Sequence, residues 1–96
     1  MEVVDPAGRR VRLKLETLRH IIDNHPELEQ HADDVMAAVA RPDWRELDPR
    51  PGRERYYKRD VGPSRWLLVV VDFEGDPARV VTAYVNRRGP RGIPAR

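Results

Sequence analysis

Three histidines, a run of arginines and a hydroxyl pair near the C-terminal end are the groups in this 96-residue chain that could do chemistry. His20, His25 and His31 are the side chains whose ordinary pKa, about 6.5, lets them give and take protons near neutrality. On a helix at about 100° per residue, His20 and His25 lie about 140° apart and do not chelate one ion. His31 lies beyond Pro26, and the His-x-x-x-His spacing of helical zinc sites is missing. No metal or cofactor is expected. His25 projects towards the Leu18/Ile21/Ile22 stripe at a helix end, placed to exchange protons with whatever the sheet presents there. A semi-buried histidine capping backbone carbonyls is the plainer alternative. His20 lies off that stripe.

Residues 53–60, RERYYKRD, alternate as a strand does: Arg53, Arg55, Tyr57 and Arg59 on one face, Glu54, Tyr56, Lys58 and Asp60 on the other. Arginine suits phosphate because its planar fork donates two parallel hydrogen bonds, and it can stabilise charge developing on a phosphorane-like transition state. Tyr56 and Tyr57 either stack on unpaired bases or pack across the sheet. Thr82 and Tyr84 either pair with arginine from a neighbouring strand or pack across it.

The elements that position these groups follow from periodicity. Trp66 to Val71 is six apolar residues in a row, short and β-branched, as in a central strand covered on both faces. Glu74-Gly75-Asp76-Pro77 is turn chemistry. Val80 to Val85 then alternates, Val81, Ala83 and Val85 against Val80, Thr82 and Tyr84. Upstream, Val11, Leu13 and Leu15 alternate with basic residues as a half-exposed strand. Thr17 caps a helix that stops near His25, because Pro26 disfavours helical dihedrals in the residue before it. Pro26 opens a second helix carrying Leu28, Ala32, Val35, Met36 and Val39, ending before Pro42. Trp44 begins a weak strand, RERYYKRD a polar one suited to a groove or edge, and Asp60 to Ser64 a turn. The predicted class is α+β, with an N-terminal strand and two helices on one face of a four- to five-stranded, mainly antiparallel sheet. Residues 1–87 make one domain and 88–96 a basic, flexible tail.

The chain has no cysteine, so disulfides and thiolate metal sites are excluded. No segment approaches the roughly 20 apolar residues of a membrane span, and MEVVDPAG does not read as a signal peptide. A soluble cytoplasmic protein is expected. Net charge is +2, but residues 1–48 carry 7 basic and 11 acidic side chains, and residues 49–96 carry 11 and 5. That polarity suits a polyanion on one side of the fold; a solvated arginine-rich surface is the bland alternative.

The ordered set LRHIIDNHPEL, ARPD, RERYYKR, RWLLVVVDFEG and VVTAYV resembles the phage-associated nuclease families of the barnase–EndoU–colicin–RelE superfamily, across about residues 10 to 87. BrnT-type toxins are similar in the last two strands. The resemblance implies a RelE-like fold and a toxin-like, metal-independent endoribonuclease, neutralised by a cognate antitoxin protein. By matching position it implies His20, His25, Arg55, Thr82 and Tyr84 as catalytic residues. Arg53, Tyr57, Lys58, Arg87 and Arg88 would contact RNA. The mechanism expected is attack of a 2′-hydroxyl on the adjacent phosphate, with Arg55, backed by Lys58, on the phosphate and a histidine with Tyr84 moving protons. The alternative is a non-catalytic module on the same fold that binds RNA or protein.

Overall fold

Tyr56 and Tyr57 are adjacent in sequence, and the pleat of their strand sends them into two separate cores. A computed structural model describes residues 1–61 and 66–91. In chain order the elements are β1 (Glu2–Val4), β2 (Arg10–Arg12), α1 (Leu15–Asn24), a 3₁₀ turn (Pro26–Leu28), α2 (Ala32–Ala40), β3 (Trp44–Leu47), β4 (Arg53–Arg59), β5 (Trp66–Asp72) and β6 (Ala78–Asn86). The strands form one sheet in the order β1-β2-β6-β5-β4-β3. Every neighbouring pair is antiparallel except β2 and β6, which run parallel. The class is α+β, as expected, but the sheet is mixed and has six strands.

The extra strand comes from the first four residues. Asp5 to Gly8, with Gly8 at φ 82°, turns the chain so that Glu2–Val4 pairs back on Arg10–Arg12. The strand expected through Leu15 stops at Arg12. Leu15 instead opens α1 and is 62% exposed. Thr17 is therefore inside the helix rather than its cap; Lys14 holds that place, with no side-chain bond to the helix. α1 ends where Pro26 requires. His25 leaves helical dihedrals at φ −135°, ψ 74°, yet its N–H still bonds the Ile21 carbonyl at 2.7 Å. The second helix is not continuous from Pro26. A 3₁₀ turn buries Leu28, and α2 begins afresh at Ala32 to bury Val35, Met36, Ala38 and Val39. No helix among the described residues is long and apolar enough to cross a membrane.

β5 is buried along its whole length. Leu67, Val69 and Val71 meet the helices, while Trp66, Leu68 and Val70 face the other way with Tyr57 and Tyr84. β4 lies inside the sheet rather than at its edge, because β3 pairs along its outer side. In β6 the expected alternation fails at one point. Val71 pairs with Val80 but Val70 pairs with Thr82, so Val81 is an extra residue in a bulge. Val80 consequently joins Ala83 and Val85 on the helix side, and Thr82 and Tyr84 keep the opposite face. After β6, Pro90 is buried and Gly89 lies against the Trp66 indole. The packed chain thus runs on to Pro90 rather than ending at residue 87. The expected turn over Asp60 to Ser64 and the end of the basic tail fall partly outside the described residues.

One polar cluster ties the N-terminal turn to the middle of the sheet. The Asp5 carboxylate, fully buried, accepts the backbone N–H groups of Ala7 (3.0 Å) and Arg9 (2.9 Å) on Oδ1. Its Oδ2 accepts Arg9 Nη2 (2.7 Å), Arg9 Nε (3.0 Å) and the Tyr56 hydroxyl (2.7 Å). Arg9 continues to both Glu54 oxygens, at 2.6 and 2.9 Å, and lies 3.9 Å over the Phe73 ring. Burial pushes the Asp5 carboxyl up, but the hydrogen bonds from Arg9 and Tyr56 outweigh it and hold the group at about 2. Burial and the same bond to Asp5 push the Tyr56 phenol well above its usual range.

Tyr56→Phe removes one of those donors. It should cost about 1.5–3 kcal/mol at pH 7 by urea denaturation, the range for a hydrogen bond to a charged group. Asp5 titrates lower folded than unfolded, so its contribution is complete above the ordinary carboxylate value of 3.8 and is lost as pH falls towards about 2. The deficit of Tyr56→Phe should shrink through that window. A deficit independent of pH down to 2 would mean that the Asp5 charge is not what the phenol stabilises.

Candidate active site

The face of the sheet turned away from the helices carries the chemistry-bearing residues, and strand register sets them in rows. Arg53, Asp72 and Arg79 form the first row. Glu46, Arg55, Val70 and Thr82 form the second, and Trp44, Tyr57, Leu68 and Tyr84 the third. Arg59, Trp66 and Asn86 form the fourth. With strands about 4.8 Å apart, Arg55 and Thr82 stand about 10 Å apart across Val70.

The first two rows are internally neutralised. Arg53 Nε and Arg79 Nη2 each lie 3.4 Å from Asp72 Oδ2. The Glu74 backbone N–H donates to Asp72 Oδ1 at 2.9 Å; that bond, with the two arginines, holds the Asp72 carboxyl below its ordinary value. Arg55 Nε donates to Asp48 Oδ1 at 2.7 Å, and Asp48 Oδ2 accepts the Arg50 backbone N–H at 2.9 Å. Burial opposes ionisation of Asp48, but Arg55 keeps it lowered, and donating to Asp48 raises Arg55 in turn. Arg55 also hydrogen-bonds the Tyr57 side chain, so two of the five N–H donors of its fork are engaged within the face.

The fourth row differs. The Arg59 guanidinium lies 4.8 Å over the Trp66 ring, and among the described residues no carboxylate pairs with it. Arg87 and Arg88, both exposed, follow directly on the end of β6. Among the described residues, positive charge without a carboxylate partner therefore gathers at this end of the face, where a polyanion would be drawn.

His25 arrives beside it from the flank. β2 pairs with β6 only at Ala78 and Arg79, and α1 packs against β6. The C-cap of α1 thereby lays the His25 imidazole along the Tyr84 ring, with centroids 5.7 Å apart and planes inclined at 30°. His25 is one-third exposed, and its Nδ1 lies 3.5 Å from Glu27 Oε1. His25, Tyr84, Thr82, Arg55 and Arg53 thus share one face.

Three expected members do not join them. His20 sits on the exposed side of α1, its Nε2 3.2 Å from the Asn24 amide of its own helix. Lys58 points to the helix side of β4 and donates to the Arg41 carbonyl at 3.0 Å, so it cannot back Arg55. Tyr57 is 3% exposed, edge-on to Trp66 at 6.0 Å, with burial and the neighbouring Glu46 pushing its phenol up to about 12. It offers no open ring face to a base; nor does Tyr56, which is wholly buried. The sequence reading missed Asp48 and Glu27, whose roles depend on loop geometry. It placed Arg59 on the correct face without finding Trp66 beneath it; the shared alternation of Arg53, Arg55 and Arg59 was the available signal.

Among family models, curated proteins and solved structures, none matches this chain.

A Cβ placed on Gly89 would lie 2.7 Å from two Trp66 indole atoms, closer than a side chain tolerates against a rigid ring. Gly89→Val should therefore lift the segment off Trp66, cost about 1–3 kcal/mol by the usual range for overpacking, and shift tryptophan emission to the red. Parent-like stability with unchanged emission would contradict this close approach.

Proposed function

We propose that the chain is a metal-independent endoribonuclease acting at the His25–Tyr84 end of the open sheet face. One observation carries the reading: a solvent-accessible histidine lies on Tyr84, which shares its face with Thr82 and with Arg59, an arginine that among the described residues has no carboxylate partner. Basic residues draw the RNA backbone across the face. His25 takes the proton of a 2′-hydroxyl, whose oxygen attacks the adjacent phosphorus. The remaining donors of Arg55 hold the phosphate oxygens as charge develops, and Tyr84 protonates the departing 5′-oxygen. The products are a 2′,3′-cyclic phosphate and a 5′-hydroxyl. The parallel β2–β6 pair, with both helices on one face, supports a RelE-like plan. A toxin of that plan would work in the cytoplasm and be held in check by an antitoxin protein.

The ion pairs of Arg53, Arg55 and Arg79 favour a second reading, a non-catalytic module that binds RNA or protein through the same face.

Single-stranded RNA incubated with the purified chain in EDTA should be cut, and the same RNA with a 2′-methoxy group at the cut site should not. His25→Ala should slow cleavage by about 100- to 10,000-fold, the usual contribution of a positioned acid or base, while His20→Ala leaves it unchanged. Cleavage that needs Mg²⁺, or that proceeds on 2′-methoxy RNA, would overturn the mechanism. Salt-sensitive binding without turnover would favour the second reading.

A further inference from the structure

We infer that Glu27 is a positioning residue: it holds the His25 imidazole in the Nδ1–H form and leaves Nε2 bare as the proton acceptor, an assignment that rests on the ribonuclease reading of the same site. The imidazole has a neighbour on two sides. One ring face lies along Tyr84, and the Nδ1 edge faces Glu27 Oε1 at 3.5 Å.

The backbone between the two residues is closed twice. Leu28 N–H bonds the His25 carbonyl at 2.9 Å, and Glu29 N–H bonds the Pro26 carbonyl at 3.1 Å. Pro26 restricts φ at the joint, so the 3₁₀ turn brings Glu27 back alongside the ring it follows by two positions. Two features make the contact directional. A carboxylate accepts and does not donate, so its charge at 3.5 Å favours a proton on the nitrogen that faces it. The two ring nitrogens point apart, so a proton fixed on Nδ1 leaves the lone pair of Nε2 on the edge turned away from Glu27. A neutral histidine free in water favours the opposite form, with the proton on Nε2. Without Glu27, most neutral His25 would present an N–H where the reaction needs a base. His31 makes a contact of the same kind, its Nδ1 2.8 Å from Asp34 Oδ2, but away from the open-face rows.

The test reads the free protein first. Long-range ¹H–¹⁵N spectra at about pH 8, where an ordinary imidazole is neutral, should show His25 with a protonated Nδ1 and an unprotonated Nε2. In Glu27→Ala that assignment should reverse, with the Tyr84 ring shifts of His25 retained. Glu27→Asp should restore part of the original pattern. In cleavage assays, Glu27→Ala should lower kcat by up to about fivefold, the scale of a partly exposed ion pair, with KM unchanged. An Nε2–H form in the parent protein, or identical spectra in Glu27→Ala, would overturn the assignment. If the spectra reverse as expected and the parent protein cuts no RNA, Glu27 still fixes the tautomer and the ribonuclease reading alone fails.

Discussion

The architecture depends on one buried carboxylate. Asp5 takes five hydrogen bonds, two from its own turn, two from Arg9 and one from Tyr56, fifty-one positions along the chain. A carboxylate so enclosed is tolerable only because every approach carries a donor. β2 and β4 are separated in the sheet by β6 and β5, so a bond from the β1–β2 turn to β4 curls the sheet around α2. β2 covers two residues of β6 and stops, leaving room for α1 beside the remainder. His25 meets Tyr84 because of where β2 ends.

Electrostatics divide the open face more sharply than the bulk charge suggests. The second half of the chain is rich in arginine, yet Arg53, Arg55 and Arg79 are partnered by Asp48 and Asp72 on the same side of the sheet. Such partly buried pairs add little net stability for their desolvation, but they hold long side chains in one geometry. The residual positive charge is displaced to the Arg59, Arg87 and Arg88 end, next to the aromatic layer of Trp66 and Tyr84. The face thus has aromatic rings and Arg59 at one end and arginines held by carboxylates at the other.

Legibility in the sequence followed the range of the interactions. The β5 strand, the helix break at His25-Pro26 and the polar β4 strand were readable because they depend on neighbours within a few residues. The N-terminal hairpin was not, since β1 is three residues long and its turn is held by Arg9, Glu54 and Tyr56 rather than by its own composition. Tyr57 illustrates the same limit at the site. Alternation gave its face correctly, but whether it stacks on a ligand or on Trp66 was decided by the next strand, β5. His20 lies within α1 and His25 at its C-cap, and the direction in which α1 lies on β6 separated them.

The bulge at Val81 gives β6 a property of its own. A uniform strand has a single phase, so the residues that follow Val80 would have kept its parity, sending Thr82 and Tyr84 into the helix-side core and Ala83 and Val85 to the surface. One additional residue reverses that parity halfway along. The upstream half of β6 is set in phase by Val80 in the core, and the downstream half by Tyr84 against His25. The strand therefore serves two masters that agree only at this exact length, and the count of residues between Arg79 and Thr82 is as much a part of the site as the side chains themselves.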